Sequence, residues 1–325
     1  MAVDYNKCID CGKCTRHCVF LDKYGINLKE YAKRPDLAFN CYLCGECKRV
    51  CPVDIDGRQL SLDLREKRIE DGYNLYTDGY RTLLLEKRNY IFKNYKNVNS
   101  KIALFPGCNF PAYFPETTKV ISKKLNENFG ISTIFDCCGK PLDDLNMKKE
   151  KENIKERLNN RLKGLGIEEL VLLCPNCFYY FRNNLDIKVS MIYEHEEIME
   201  TLVSKDSSKI EGALFLPCPD RDQRIIYKIL ERYVDYNNLK EIKDIQCCGA
   251  GGCASIKEKD LTKNLQDGFK KYEEKIYLYC ATCTGMINKS NTNVDHILCK
   301  LLNTNEKISS GIKTVKNRAL FSLKK

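Results

Sequence analysis

Apolar positions along the chain follow two different periods. Between Val19 and Asn40, the residues Leu21, Tyr24, Leu28, Tyr31 and Leu37 recur with few β-branched neighbours, which predicts helical turns. Leu60, Leu64 and Ile69 fall on one face of a further helix over 60–70. Beyond residue 100 the pattern changes. Short apolar runs over 102–105, 131–135, 170–173 and 189–193 predict strands, with helical spacing between them, as in Ile154, Leu158, Leu162 and Leu165. A second series follows at 213–216, 242–245 and 276–279. Its helices carry Ile225, Ile226, Ile229, Leu230 and Tyr233, then Leu261, Leu265 and Phe269. Strands alternating with helices imply parallel sheets. The expected fold class is α+α/β: a helical N-terminal domain, then two pseudo-symmetric α/β halves.

Composition narrows the class. The 325 residues are 43% hydrophobic, enough for ordinary cores in two or three domains. No run approaches the roughly 20 apolar residues needed to cross a bilayer. The opening Met1-Ala2-Val3-Asp4-Tyr5-Asn6-Lys7 has no apolar signal core, so the expected location is cytoplasmic, peripheral to a membrane only through a partner. Cysteine changes the picture most. A cytosolic chain with 20 cysteines is expected to bind metal rather than to form disulfides.

The first cysteines read Cys8-x-x-Cys11-x-x-Cys14-x-x-x-Cys18 and Cys41-x-x-Cys44-x-x-Cys47-x-x-x-Cys51-Pro52. This is two-cluster ferredoxin spacing, present twice. Three thiolates two residues apart wrap one face of a 4Fe–4S cube, and the fourth ligand comes from the other run. Cluster one is therefore assigned to Cys8, Cys11, Cys14 and Cys51, and cluster two to Cys41, Cys44, Cys47 and Cys18. Val19 stands where a proline usually follows the fourth cysteine. No C-x-x-C pair is followed by His, which excludes c-type haem. Zinc is the alternative for paired C-x-x-C motifs, but it needs four ligands and these runs offer more.

The remaining pattern is duplicated. Ala103-Leu104-Phe105 before Cys108 matches Ala213-Leu214-Phe215 before Cys218. Cys137-Cys138-Gly139 matches Cys247-Cys248-Gly249, and Cys174-x-x-Cys177 matches Cys280-x-x-Cys283. All these cysteines lie just past the carboxyl ends of predicted strands, the edge where parallel sheets bind ligands. A vicinal disulfide at Cys137-Cys138 and a thioredoxin-like redox pair at Cys174-Pro175-Asn176-Cys177 are the competing readings. Gly249-Ala250-Gly251-Gly252 invites a phosphate-loop reading but lacks the dinucleotide fingerprint. These glycines instead suit close backbone approach to a cluster.

On these motifs the two halves resemble the cysteine-rich CCG domains of heterodisulfide reductase, and the N-terminal runs resemble that enzyme's small two-cluster ferredoxin subunit. The resemblance covers Cys8 to about Leu302. The same fused architecture occurs in iron–sulfur subunits of glycolate and lactate oxidases, anaerobic glycerol-3-phosphate dehydrogenase and thiol:fumarate reductase. It implies two cubane 4Fe–4S clusters and two non-cubane 4Fe–4S clusters. The non-cubane sets would be Cys108, Cys137, Cys138, Cys174 and Cys177, then Cys218, Cys247, Cys248, Cys280 and Cys283. In the resembled enzyme a disulfide enters between the two sites and is split reductively. The implied function is an iron–sulfur oxidoreductase of that type. The alternative is an electron-transfer subunit of a flavin-dependent hydroxy-acid, glycerol-3-phosphate or succinate dehydrogenase. Expected partners are a flavoprotein, ferredoxin or membrane cytochrome subunit and a small thiol or disulfide, with no nucleic acid.

The expected domains are 1–99, a helical ferredoxin-like domain; 100–205 and 206–303, the two CCG halves; and 304–325, a mobile basic tail. Cys253 and Cys299 are left over and read as buried, inert thiols. His17 reads as a capping or tuning residue, His195 as a surface residue at a helix start, and His296 as a cap or a proton donor near the second site. The formal charge of +10 leaves every thiol neutral. Two oxidised cubanes would bring about −2 apiece, so Lys7, Lys13, Arg16, Lys48 and Arg49 sit among anions.

Overall fold

The computed structural model describes residues 3–205 and 209–323. The expected junction of the two halves at 206 and the Lys324-Lys325 end fall outside them. Two compact units emerge, neither of which follows chain order. The first comprises Met1–Arg88, Pro141–Glu150 and Lys243–Phe269; the second comprises Asn89–Lys140, Lys151–Ile242 and Lys270–Lys325. Among the described residues no helix is long and apolar enough to cross a membrane.

The first unit is helical, as the spacing predicts. Short helices span Val19–Lys23 and Leu28–Tyr31, and a 3₁₀ stretch spans Pro35–Asn40. Asn27 and Glu30 form a capping box that starts the second of these. The longest helix, Gly57–Glu70, starts at Asp56, whose carboxylate accepts from the Arg58 and Gln59 amides. Tyr31 Oη donates to Ser61 of this helix at 3.0 Å, and Arg65 lies over the Phe39 ring. Arg65 projects from this helix with no exposed surface. Its guanidinium donates to the carbonyls of Ala38 (2.9 Å), Cys41 (2.8 Å), Gly252 (3.0 Å) and Asp144. One side chain thus draws separate stretches of the chain together. Glu258, also fully buried, accepts from Lys23 (2.7 Å), Tyr24 (2.7 Å) and Asn40 (2.6 Å), which binds the returning 243–269 segment to the first helices.

The second unit holds both sheets. Strands β1 (Ile102–Phe105), β2 (Ser132–Thr133), β3 (Glu169–Leu172) and β4 (Lys188–Met191) run parallel in the order β2-β1-β3-β4. Strands β5 (Gly212–Leu214), β6 (Leu239–Glu241), β7 (Ile276–Leu278) and β8 (Val294–His296) repeat that plan as β6-β5-β7-β8, again all parallel. Two details depart from the expected pattern. The strand sought at 242–245 lies at Leu239–Glu241 instead; Ile242 still bonds Leu214, and from Lys243 the chain turns into the first unit, where Ile245 packs under Gly268. Strand β8 was not foreseen, because Val294-Asp295-His296 lacks an apolar run.

The C-terminal stretch is no mobile tail. Ile312–Leu323 is a helix seated on the second unit. Phe321 is buried against Phe135, its carbonyl accepts from Asn94, and Asn317 bonds the Ala112 carbonyl. The basic composition hid this, since Phe321 is the one deeply buried side chain of the helix.

Arg65→Met should lower the unfolding free energy by about 3 kcal/mol or more, because several buried carbonyls lose their donor at once. Chemical denaturation followed by circular dichroism measures it; a loss below about 1 kcal/mol would contradict this role.

Candidate metal centres

The N-terminal cysteines sit on loops that only glycine can close. Gly12 and Gly45 precede the Lys13–Arg16 and Glu46–Arg49 turns in the left-handed region, at φ +67° and +79°. A Cβ on Gly57 would lie 2.5 Å from Cys47 Sγ. Gly251 and Gly252 approach the backbone carbonyls of Tyr42 and Cys41 so closely that a side chain on either would collide. The glycine-rich segment is therefore a close-approach device, as its composition suggested, aimed at the Cys41–Leu43 loop.

The sulfurs of cluster two as assigned are brought together. Cys14, Cys18, Cys41 and Cys44 all act electrostatically on Cys47, whose thiol burial pushes well up. Burial, with the charges of Cys44 and Cys41, pushes Cys18 up to about 12. Gln246 Nε2 donates to Cys18 Sγ at 3.7 Å and to Cys44 Sγ at 3.6 Å. Of cluster one, Cys8 and Cys14 are near enough to interact. Cys11 is exposed and Cys51 half-buried, with Cys51 Sγ accepting from Ile55. Thiols this deeply buried resist ionisation unless a cation compensates, and a coordinated metal ion deprotonates a thiol outright. Buried sulfurs in two-cluster ferredoxin spacing, three from one run and one from the other, fit 4Fe–4S groups on that ground.

In the second unit the first five-cysteine set converges. Cys138 is held down at about 5 by hydrogen bonds from the Cys137 and Cys177 thiols, against burial and the charges of Cys108 and Cys174. Cys138 thus interacts with each of the other four, just past β1, β2 and β3. Gly107, at φ +75°, would place a Cβ 3.1 Å from Cys177 Sγ, so the loop before Cys108 also needs glycine. Arg318 of the C-terminal helix reaches this loop, donating to the Cys108 carbonyl (3.3 Å) and to Asn109 Oδ1 (3.2 Å). Nothing in the sequence pointed to Arg318, because its partner lies some two hundred residues away. Among the described residues no group of three or more His, Cys, Asp or Glu side chains is arranged to hold a single metal ion; the Cys137, Cys138, Cys177 and Cys174 thiols are linked by hydrogen bonds, with Cys108 beside them.

Of the second set, Cys218, Cys280 and Cys283 belong to this same unit, and Cys247 and Cys248 to the first. The two C-x-x-C loops meet. Asn176, inside Cys174–Cys177, donates to Cys280 Sγ at 3.7 Å. Asn109 donates to Thr282, inside Cys280–Cys283, at 2.7 Å. Gly285 lies flat against the Tyr113 ring, where no side chain could fit.

Chain comparison fits this arrangement. The 4Fe-4S dicluster domain model matches residues 7–56, and the Cysteine-rich domain model matches twice, at 102–182 and 213–288. The chain thus carries a 4Fe-4S dicluster domain and a duplicated cysteine-rich domain, the make-up of an iron–sulfur protein. Its dicluster domain precedes a duplicated cysteine-rich domain, an arrangement consistent with a heterodisulfide reductase-like subunit. An uncharacterized iron-sulfur protein of Methanococcus maripaludis is 27% identical over 75% of this chain and 58% of its own length. One of Methanocaldococcus jannaschii is 23% identical over 66% of this chain and 48% of its own. The chain thus spans about half the length of the curated relatives it matches. Among solved structures, an aspartate racemase of Picrophilus torridus (13% identity, 68% of this chain and 100% of that one, TM-score 0.31) and glutamate racemase RacE1 of Bacillus anthracis (10%, 64% and 80%, TM-score 0.32) are too distant to bear on function.

The remaining singled-out residues have structural partners. His17 is exposed at the end of its turn. His195 starts the Glu196–Leu202 helix, bonded to Ser190 at 2.8 Å. His296 is fully buried between Phe110 and Phe114 and caps the last strand–helix junction, its Nδ1 accepting from Leu298. Cys299 is buried as expected, but Cys253 is only half-buried, at φ +55°, because the glycine loop carries it near the surface.

Burial pushes His296 down to about 3. A native pKa below the unfolded one means that the unfolded chain takes up the proton first. Its contribution is complete above about pH 6.5 and is lost as pH falls, by up to about 1.4 kcal/mol per unit. His296→Asn keeps the cap acceptor and removes the titration. Its stability should fall less steeply than wild type between pH 6.5 and 5.5, read from denaturant midpoints; parallel slopes would refute this.

Proposed function

We propose that this protein is the catalytic iron–sulfur component of a disulfide reductase of heterodisulfide type. The observation that carries the reading is the gathering of Cys108, Cys137, Cys174 and Cys177 around Cys138 at the carboxyl edge of a parallel sheet. In this reading those five, and their counterparts Cys218, Cys247, Cys248, Cys280 and Cys283, hold two non-cubane clusters. The dicluster cysteines hold two cubanes. When bound, these groups supply one-electron carriers whose potentials depend on charge, hydrogen bonding and exposure.

The overall step is RSSR′ + 2 e⁻ + 2 H⁺ → RSH + R′SH. Two electrons must arrive together, so two one-electron sites are needed beside the substrate. The contacts of Asn176 with Cys280 and of Asn109 with Thr282 support such a pairing. The chain's own contribution is positional. Gly107 keeps the Cys108 loop open, Arg318 fixes that loop's carbonyl, and the asparagines hold the C-x-x-C loops in register. The exposure of Cys11 and the half-burial of Cys8, against buried Cys18, Cys44 and Cys47, support cluster one as the side where a donor would dock. The donor would be a cytoplasmic or membrane-associated flavoprotein, ferredoxin or cytochrome subunit, and the substrate a small disulfide.

Anaerobic iron and sulfide analysis should give about sixteen of each per chain, four per cluster. Cys138→Ala and Cys248→Ala should each abolish dye-linked disulfide reduction while the cubanes still reduce with dithionite. The two losses should be non-additive. Full disulfide turnover with one half disabled would refute the two-site mechanism. If partner-linked electron transfer alone survived, the chain would instead be a dehydrogenase's electron conduit.

A further inference from the structure

The two halves differ at the residue that precedes the vicinal cysteines. The residue before Cys137-Cys138-Gly139 is Asp136; the one before Cys247-Cys248-Gly249 is Gln246. Asp136 is buried and accepts from Tyr95 Oη (2.7 Å) and the Cys137 amide (2.7 Å), beside Arg157 at 3.3 Å. Gln246 is also buried, but its side chain faces the dicluster cysteines. Its Nε2 donates to Cys18 and Cys44, one sulfur from each run. Its Oε1 accepts from the Val19 amide at 2.7 Å, which fixes which end of the amide points at sulfur.

We propose that Gln246 couples the dicluster region to the Cys247–Cys248 pair: it raises the reduction potential of the cubane held by Cys18 and Cys44 and forms the path from that cubane to Cys247, through its hydrogen bonds to sulfur and then through its own side chain and one peptide bond. The proposal rests on the ligand assignment above. Hydrogen bonds to ligand sulfur favour the more negative, reduced state. A carboxylate such as Asp136 could not serve here, because it would offer no donor and would repel the thiolates. Val19 fits the same logic. A proline, the usual residue after the fourth cysteine and present as Pro52 in the other run, has no N–H to hold Gln246. In the step itself one electron leaves the reduced cubane, which is oxidised by one. It passes through the amide and one peptide unit and reduces the Cys247 site by one. No bond breaks and no proton moves.

The test is an anaerobic redox titration of the purified holoprotein, monitored by electron paramagnetic resonance. In Gln246→Leu one cubane midpoint should fall and the other stay. Val19→Pro should lower the same midpoint by less; Val19 opens a helix, where proline is tolerated. Asp136→Asn should leave both cubane midpoints in place. After rapid mixing with dithionite, reduction of the cysteine-rich sites should slow by about tenfold or more in Gln246→Leu, a barrier increase of about 1.4 kcal/mol. In wild type carrying glutamine labelled with ¹⁵N at the side chain, the reduced cubane should show coupling to that nitrogen. Should Gln246→Leu fail to load iron, Val19→Pro and the nitrogen coupling decide the matter. Unmoved midpoints in a fully loaded variant, or no nitrogen coupling in wild type, would overturn the role of Gln246 alone. Iron near eight per chain in wild type, the two cubanes alone, would instead remove the cysteine-rich clusters and with them the electron path to Cys247.

Discussion

The first unit depends on Arg65. A guanidinium with no exposed surface must find an acceptor for each N–H, and here the acceptors are main-chain carbonyls rather than a carboxylate. Each donated bond fixes a loop. The Cys41 carbonyl sets the start of the second cysteine run, and the Gly252 carbonyl sets the glycine segment that lies against it. With both loops anchored to one helix, Gly251 and Gly252 can press on the Cys41–Leu43 backbone, and Gln246 is delivered to the sulfurs. A neutral side chain could fill the volume but not hold these strands of backbone in common.

The second unit solves its positioning problem differently. Parallel strands place their carboxyl ends on one edge, and the duplicated order β2-β1-β3-β4 and β6-β5-β7-β8 creates that edge twice. Cysteines that follow the strands need no long side-chain reach, only loops tight enough to bring sulfurs together. Gly107 supplies such a loop for Cys108, and the C-x-x-C turns open the Pro175–Phe181 and Ala281–Ile287 helices. Hydrogen bonds from the Cys137 and Cys177 thiols hold the Cys138 thiol's pKa below its ordinary value.

Much of this was legible in the residue order, and the limits are physical. Cysteine spacing, the strand–helix alternation and the internal repeat are local patterns, so both domain types and seven of the strands could be read, the sixth one displaced. Val294-Asp295-His296 escaped because a short strand with a polar centre has no period. The C-terminal helix escaped because lysines mask its single buried aromatic. Arg318 and Gln246 escaped for another reason: their importance lies in partners far along the chain, and nothing local to either residue encodes that. The same holds for the make-up of the first unit, which Arg65 and Glu258 assemble from distant segments.

That scattered make-up imposes a timetable on synthesis. Arg65 is made long before Gly252, its partner 187 residues on. At roughly 5–20 residues per second a ribosome takes about 10–40 s to supply that partner. For most of this interval the segment from Cys8 to Cys51 is outside the ribosome with its thiols in place, but without the glycine loop, Glu258 or Gln246 to enclose them. The nascent chain therefore passes through a period of uncovered, oxidisable sulfur. Iron delivered before residue 269 emerges would meet a half-built cradle, so cluster loading belongs after translation, with the thiols kept reduced until then.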